Sequence, residues 1–255
     1  KRERKEENVE KKEGFFSLLF LAGTLTGTKL ILSLLHTAEA VFIPAALRKY
    51  GYSSEEALAV FGVFSGIALP FILFPSTVTN SFAVMLLPSI AESHALGRTD
   101  RIRAYVTKSG KYSLLIGYLF NFLFLLFGNY CGTVLFHSAD AGYFITMLSW
   151  ICPFLYLSTT FTSIINGLGK TQLTFFITTI SLGIKIFFLV VLVPLFGIRA
   201  YLIGTLISQI VMTLWEAFYL RNYMRLSLKK YVLLPAILLL LLGIIILRLS
   251  SPYTP

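Results

Sequence analysis

The sequence predicts an all-α protein, a polytopic bundle of about seven transmembrane helices. Of its 255 residues, 56% are hydrophobic and only 13% are charged, whereas about 25% of an average soluble domain is charged. The mean hydropathy is +0.78. The apolar residues also gather into segments of about 20 residues or more, the length that a helix needs to cross a bilayer.

Seven apolar segments account for most of the chain. The second contains Pro70, Pro75 and Pro88. Because proline lacks an N–H and clashes with the preceding turn, we expect this helix to break or bend near Pro70 and Pro75, where it would serve as a hinge. Seven crossings leave no room for a nucleotide-binding domain of ordinary size. The segments are residues 15–43, 57–90, 112–132, 142–166, 173–196, 198–220 and 231–249.

The basic residues predict the orientation of the bundle. The net charge is +10, which in a soluble chain would suggest nucleic acid, but positive loops on the cytoplasmic side explain it without such a partner. Sixteen of the 22 lysines and arginines fall before the first segment and after the second, fourth and sixth, and four fall in the alternate connections. We therefore expect the basic linker 1–14 to be cytoplasmic. It is a connector, or it contacts anionic membrane lipids.

Ionisable residues inside the apolar segments are the candidate site, because such groups are costly in a bilayer and mark polar cavities. Lys29, His36 and Glu39 lie on nearly one face of the first helix. One interpretation is that they line a cavity for an anionic substrate or a coupling ion. The other is a structural Lys–Glu pair, with His36 and Glu39 at the outer interface. Lys185 lies mid-way along the fifth segment, at the depth of Gln209, to which it could hydrogen-bond.

The other polar residues give weaker indications of function. Glu216 is nearer the cytoplasmic end of the sixth segment, too far for a pair with Lys185, and its simplest interpretation is an interfacial acid. The three histidines and two cysteines have no metal-ligand spacing, and no phosphate-binding or nucleophile motif occurs. We therefore expect no catalytic residue, no metal and no cofactor, and a protein that transports or holds something in the membrane.

Three stretches resemble one family. FGVFSGIALP with the following FPSTVTNSFAVMLLPSIAES, NGLGKTQ (166–172) and VPLFGIRAYLIGTLIS (193–208) resemble the second half of the stage V sporulation protein B group. That group belongs to the multidrug/oligosaccharidyl-lipid/polysaccharide (MOP) superfamily, with MurJ-type lipid II flippases and multidrug MATE exporters. Ser65 stands where MurJ-type flippases have an arginine, so the resemblance points to the broader class of polyprenyl-pyrophosphate-linked saccharides rather than to lipid II.

The resemblance implies a domain organisation. Residues 15–220 would form the second six-helix lobe and 231–249 an additional helix, so that the chain is a piece without the first lobe and the last helix. It also implies a flippase of the bacterial cytoplasmic membrane, with a lipid-linked oligosaccharide as substrate and Na⁺ or H⁺ as a possible coupling ion. Two alternatives are a cation-coupled multidrug exporter and a non-transport scaffold for cell-wall or sporulation enzymes.

Overall fold

Seven helices follow one another in the computed structural model, which describes residues 37–223 and, before them, residues 23, 26, 27, 30, 33 and 34. The helices are α1 (37–50), α2 (Ser54–Leu73), α3 (Ser76–Ala95), α4 (Thr99–Leu135), α5 (Ala139–Gly167), α6 (Thr171–Phe196) and α7 (Ile198–Tyr223).

Five of these helices, α2, α4, α5, α6 and α7, are long and apolar enough to cross a membrane. The described residues contain no β-strand. The all-α transmembrane fold class is thereby confirmed. The first apolar segment is described only in part, and the linker 1–14 and the helix 231–249 lie outside the described residues, so the domain bounds stay predictions.

Helix α5 is the centre of the bundle. Two thirds (67%) of its most apolar window is buried, against 28–39% for the other four spans. Its second half, CPFLYLSTTFTSIING, is rich in small and hydroxyl-bearing residues, which let neighbouring helices approach closely and bond to it. Helices α3, α4 and α7 all pack against it. Ser113 of α4 and Thr160 of α5, for example, share a hydrogen bond of 2.6 Å between their hydroxyls.

Two apolar clusters occupy opposite ends of the bundle. One includes Ile43, Phe64 and Phe144 and lies toward the connections α1–α2 and α6–α7, which we call the Gly197 end. The other includes Ile102 and Leu220 and lies toward the connections α3–α4 and α5–α6, which we call the Gly169 end. The predicted orientation places the Gly169 end in the cytoplasm.

The second apolar segment folds as two helices. A π-helical turn at Phe64–Ala68 precedes Pro70, α2 ends at Leu73, and α3 begins after Pro75. The carbonyl of Ile72, which an unbroken helix would pair with the next turn, instead accepts a hydrogen bond from Tyr156 of α5 at 3.0 Å. A neighbouring helix thus satisfies the polar backbone that the break exposes, as burial in a membrane requires.

The turns at the Gly169 end share one sequence pattern, Leu-Gly-basic-Thr, at LGRT (96–99) and LGKT (168–171). In each, the glycine has a positive φ, +65° at Gly97 and +75° at Gly169. The next residue donates its N–H back to the last helical turn, Arg98 to Ser93 and Lys170 to Ile165. Both are the glycine C-cap that ends many helices, and together they set α3 against α4 and α5 against α6.

Candidate site between α1, α6 and α7

The structure describes three of the five predicted cavity residues and brings two of them together. Glu39 of α1 and Lys185 of α6 form an ion pair, with 2.7 Å between Nζ and Oε1. Lys29 and His36 lie outside the described residues, so their predicted place beside Glu39 stays a prediction.

Tyr201 of α7 completes the cluster. Its hydroxyl donates to the same Glu39 oxygen at 2.6 Å, and its ring centroid lies 5.5 Å from the Lys185 ammonium. One carboxylate oxygen therefore receives a hydrogen bond from a neutral donor and a charge-assisted bond from a cation. We call Glu39, Lys185 and Tyr201 the α1–α6–α7 cluster.

Two irregular turns flank the cluster. Tyr201 is fully buried and packs edge-on against Phe64, with ring centroids 5.3 Å apart. Phe64 opens the π-helical turn of α2, and a second π-helical turn, Phe188–Leu192, begins three residues after Lys185. Such π-helical turns are rare in proteins, and those that occur are often found at functional sites. The side chains of four helices therefore meet where two helices depart from regular α geometry.

The cluster is largely buried, and its lysine and its glutamate carry opposite charges. The side chains of Lys185 and Glu39 are 16% and 7% exposed. Removing one partner of a buried ion pair costs about 3–5 kcal/mol, because the other charge is left without compensation. Chemically, the cluster can exchange partners: an anion can replace Glu39 at Lys185, or a cation can replace Lys185 at Glu39.

Gln209 does not join this cluster. The hydrogen bond that the sequence suggested between Gln209 and Lys185 is absent, because the lysine extends toward α1 instead. Gln209 lies eight residues beyond Tyr201, about 12 Å along α7 at 1.5 Å per residue, and its backbone carbonyl accepts from Thr213 at 2.8 Å. A similar position along α6 and α7 was therefore not enough to predict that the two side chains meet.

Glu216 is not an interfacial acid, which corrects the sequence-based interpretation. It is 0% exposed, buried against α5, and its Oε1 accepts a hydrogen bond of 2.6 Å from the Thr162 hydroxyl. Position along the helix suggested an interface, but α5 covers this face of α7 down to its last turn. Tyr201 was missed altogether, because one tyrosine in an apolar helix gives no signal of its own.

A cleft of about 660 Å³ opens at the Gly197 end, beside the cluster. Arg199 lies on its wall and also faces the ring of Tyr143, 5.8 Å from the ring centroid. The last residue of α1, Tyr50, and Tyr52 of the α1–α2 connection also line it, and their rings stack at 5.9 Å. The cleft therefore combines aromatic faces with one cation, within a few residues of Tyr201 along α7.

Comparison with known proteins places the chain among transporters. Residues 47–191 match the protein-family model described as MatE. The chain is similar to the sporulation protein YkvU of Bacillus subtilis (strain 168), with 25% identity over 131 residues, which are 51% of this chain and 29% of that protein. It is also similar to the stage V sporulation protein B of the same organism, with 20% identity over 220 residues, or 86% of this chain and 42% of that protein.

Two solved structures share the fold. One is a MOP superfamily transporter from Pyrococcus furiosus, described as having a binding pocket of reverse polarity, with a TM-score of 0.62 and 16% identity over 84% of this chain and 47% of that one. The other is an outward-facing multidrug resistance MATE family transporter, with a TM-score of 0.61 and 18% identity over 84% and 48%. The chain spans less than half the length of each of these four proteins.

Proposed function

The chain belongs to the MatE family of membrane transporters, and from this premise we propose that it is part of a flippase for a polyprenyl-pyrophosphate-linked saccharide. In this proposal the saccharide crosses the bacterial cytoplasmic membrane by alternating access, with one lobe rocking against the other. Membrane lipids surround the bundle, and Na⁺ or H⁺ is the coupling ion. The family is one of transporters rather than enzymes.

The ion pair between Lys185 and Glu39 carries the proposal. A pyrophosphate headgroup cannot cross the low-dielectric interior without positive charge at mid-depth. Lys185 lies 14 residues into α6, about 21 Å along the helix, and so supplies a cation at that depth. Glu39 neutralises it at 2.7 Å when no substrate is bound, which lets the bundle hold a buried lysine at a tolerable cost.

Substrate binding is then an exchange of anions. The pyrophosphate replaces Glu39 at the Lys185 ammonium, and Tyr201 keeps its hydrogen bond to the displaced carboxylate. Since Glu39 and Lys185 belong to different helices, this exchange would separate α1 from α6 and so change the packing of the lobe. The charge of Lys185, its depth in the bundle and the resemblance to flippases support this proposal.

The test removes both charges together. The double variant Glu39→Gln with Lys185→Gln, made in the full-length protein, removes both charges of this ion pair together, so we expect normal membrane abundance with loss of transport. The measurement is complementation of a strain that lacks its own flippase, with abundance determined by quantitative blotting. Lys170→Gln is the matched control, because Lys170 is an exposed lysine at the start of the same helix. Full transport by the double variant would overturn the role of the cluster.

The predicted role of Lys29 is tested in the same assay. The double variant Lys29→Gln with Lys185→Gln removes both lysines of the apolar segments, and we expect it to abolish transport while insertion is retained. Because this variant also leaves Glu39 without Lys185, its abundance is compared with that of Lys185→Gln alone, and a further fall would assign Lys29 to helix packing. Normal abundance with full transport would indicate that the anion site lies in the other lobe.

A cation-coupled multidrug exporter is the second candidate, and one observation favours it. Glu39 is a buried acid, the group that a cationic drug or ion would bind once Lys185 moves away. The two candidates differ in which single neutral variant is tolerated. An exporter should lose drug resistance on Glu39→Gln and tolerate Lys185→Gln at matched abundance, and a flippase should show the opposite pattern.

A further inference from the structure

Glu216 is a second buried acid, and its surroundings differ from those of Glu39. Both oxygens are enclosed by α5 and α7. Oε1 accepts from the Thr162 hydroxyl at 2.6 Å, and Ser158, one turn earlier on α5, faces the same carboxyl. Oε2 is fully buried and has no hydrogen-bond partner among the described residues.

No cation within the described part of the chain pairs with this carboxyl. The basic and phenolic groups of the neighbouring helices at the Gly169 end make no ion pair or hydrogen bond with Glu216. The lysines among them are exposed to solvent. These groups are Arg101, Arg103, Tyr105, Lys108, Lys111, Tyr112 and Tyr118 on α4, Lys170 on α6, and Tyr219, Arg221 and Tyr223 on α7.

A carboxylate in this place would be a buried charge without a counter-ion, which is far more costly than the neutral acid. The acid form fits the geometry: Oε1 is the carbonyl oxygen that accepts from Thr162, and Oε2 carries the proton. As an O–H donor, however, Oε2 has no acceptor while α7 lies against α5. A separation of the two helices that admits water would satisfy this donor and also allow it to ionise.

We propose that Glu216 is a proton-binding site that links the packing of α7 on α5 to protonation. With the helices packed, Glu216 is the neutral acid. When they separate, the Oε2–H bond breaks, the proton passes to a water molecule, and the water that has entered solvates the carboxylate in place of the α5 hydroxyls. Glu216 lies four residues from Leu220, about 6 Å along the helix, so this water enters from the Gly169 end. The proposal rests on the transporter function only in naming H⁺ as the coupling ion.

The direct test is infrared spectroscopy of the purified full-length protein in lipid. We expect the carbonyl stretch of a protonated carboxyl at neutral pH, and we expect Glu216→Gln to remove it. Glu92→Gln, which alters an exposed acid at the same end of the bundle, should leave it in place. An identical carboxyl spectrum in the wild type and in Glu216→Gln would overturn the proposal, whatever the protein transports.

A second variant provides a test if Glu216→Gln does not fold. Thr162→Val keeps the shape of residue 162 and removes the donor to Oε1, so the same carbonyl stretch should move to higher frequency. An unchanged stretch in Thr162→Val would contradict the assignment. In a transport assay, we expect Glu216→Gln to lose the pH dependence of the wild type. If the variant keeps that dependence, Glu216 is a structural acid and not the coupling site.

Discussion

Tyr201 and Lys185 give the same Glu39 oxygen two different bonds, so each bond can be removed separately. Tyr201→Phe removes only the hydroxyl, because the ring keeps its edge contact with Phe64 and its position over the ammonium. A hydrogen bond to a charged group contributes about 1.5–3 kcal/mol. We expect the free energy of unfolding to fall by about that amount.

Thermal unfolding of the purified protein measures this loss. The matched control is Tyr130→Phe, because Tyr130 lies on α4 with 62% of its surface exposed and should be neutral. Equal melting temperatures for Tyr201→Phe and Tyr130→Phe would contradict the energetic role of the hydroxyl.

Tyr156 has a different partner, a backbone carbonyl freed by the break between α2 and α3. Its hydroxyl donates to Ile72 at 3.0 Å, and the residue is fully buried. Tyr156→Phe leaves that carbonyl buried without a partner, which costs about 1–3 kcal/mol. We expect a lower melting temperature and faster proteolysis between α2 and α3, whereas Tyr112→Phe, at an exposed position, should change neither.

At the scale of the helix, the approach of α4 to α5 depends on Gly117. A Cβ at this position would lie 2.6 Å from Cα of Pro153, a backbone atom that cannot rotate away. Overpacking of this kind costs about 1–3 kcal/mol, so Gly117→Ala should lower the free energy of unfolding. Gly183→Ala is the control, because nothing lies within 4 Å of its added Cβ and alanine is the better helix former. A stabilising Gly117→Ala would contradict the close approach.

The same pair of helices shows how a proline inside a span is tolerated. Pro153 has no N–H to give to the carbonyl of Ser149 one turn earlier. That carbonyl accepts instead from the amide nitrogen of Asn121 on α4, at 2.7 Å, and from the N–H of Cys152. Asn121 is fully buried, so a polar side chain of one helix completes the backbone of the next.

The helices were predictable from sequence because each depends on a continuous apolar run. The interruption between Leu73 and Ser76 also follows locally, from Pro75; its use as a hinge stays a prediction. The contacts of the site were not predictable. Glu39 and Tyr201 are 162 residues apart, and only the packing of α1 against α7 reveals that they meet. Lys185 was identified because a charged side chain is costly in a membrane, but the sequence did not identify Glu39 as its partner.

Over the whole molecule, the two buried acids lie toward opposite ends of the bundle and differ in charge compensation. Glu39 lies toward the Gly197 end with Lys185 beside it, and Glu216 lies toward the Gly169 end with only hydroxyls. A movement that opens one end while closing the other would hydrate one acid and bury the other. The orientation of the bundle therefore decides which acid meets the cytoplasm.

That orientation is open to a direct test by cysteine labelling. The basic residues predict the Gly169 end in the cytoplasm, so a cysteine at Ser54 or Ala139 should react with a membrane-impermeant maleimide in intact cells. A cysteine at Thr99 should react only after the membrane is permeabilised. All three positions are exposed to solvent at the ends of helices, so a difference in reactivity reports sidedness and not burial.

The native thiols must first be removed. Cys131→Ala and Cys152→Ala give the background, since both cysteines are free and Cys131 is partly exposed. Labelling of Thr99→Cys from outside, with Ser54→Cys and Ala139→Cys protected, would show that the bundle has the opposite orientation. Glu216 would then release its proton outside the cell and the α1–α6–α7 cluster would lie toward the cytoplasm, so the direction of the proposed proton coupling would reverse while its chemistry stayed the same.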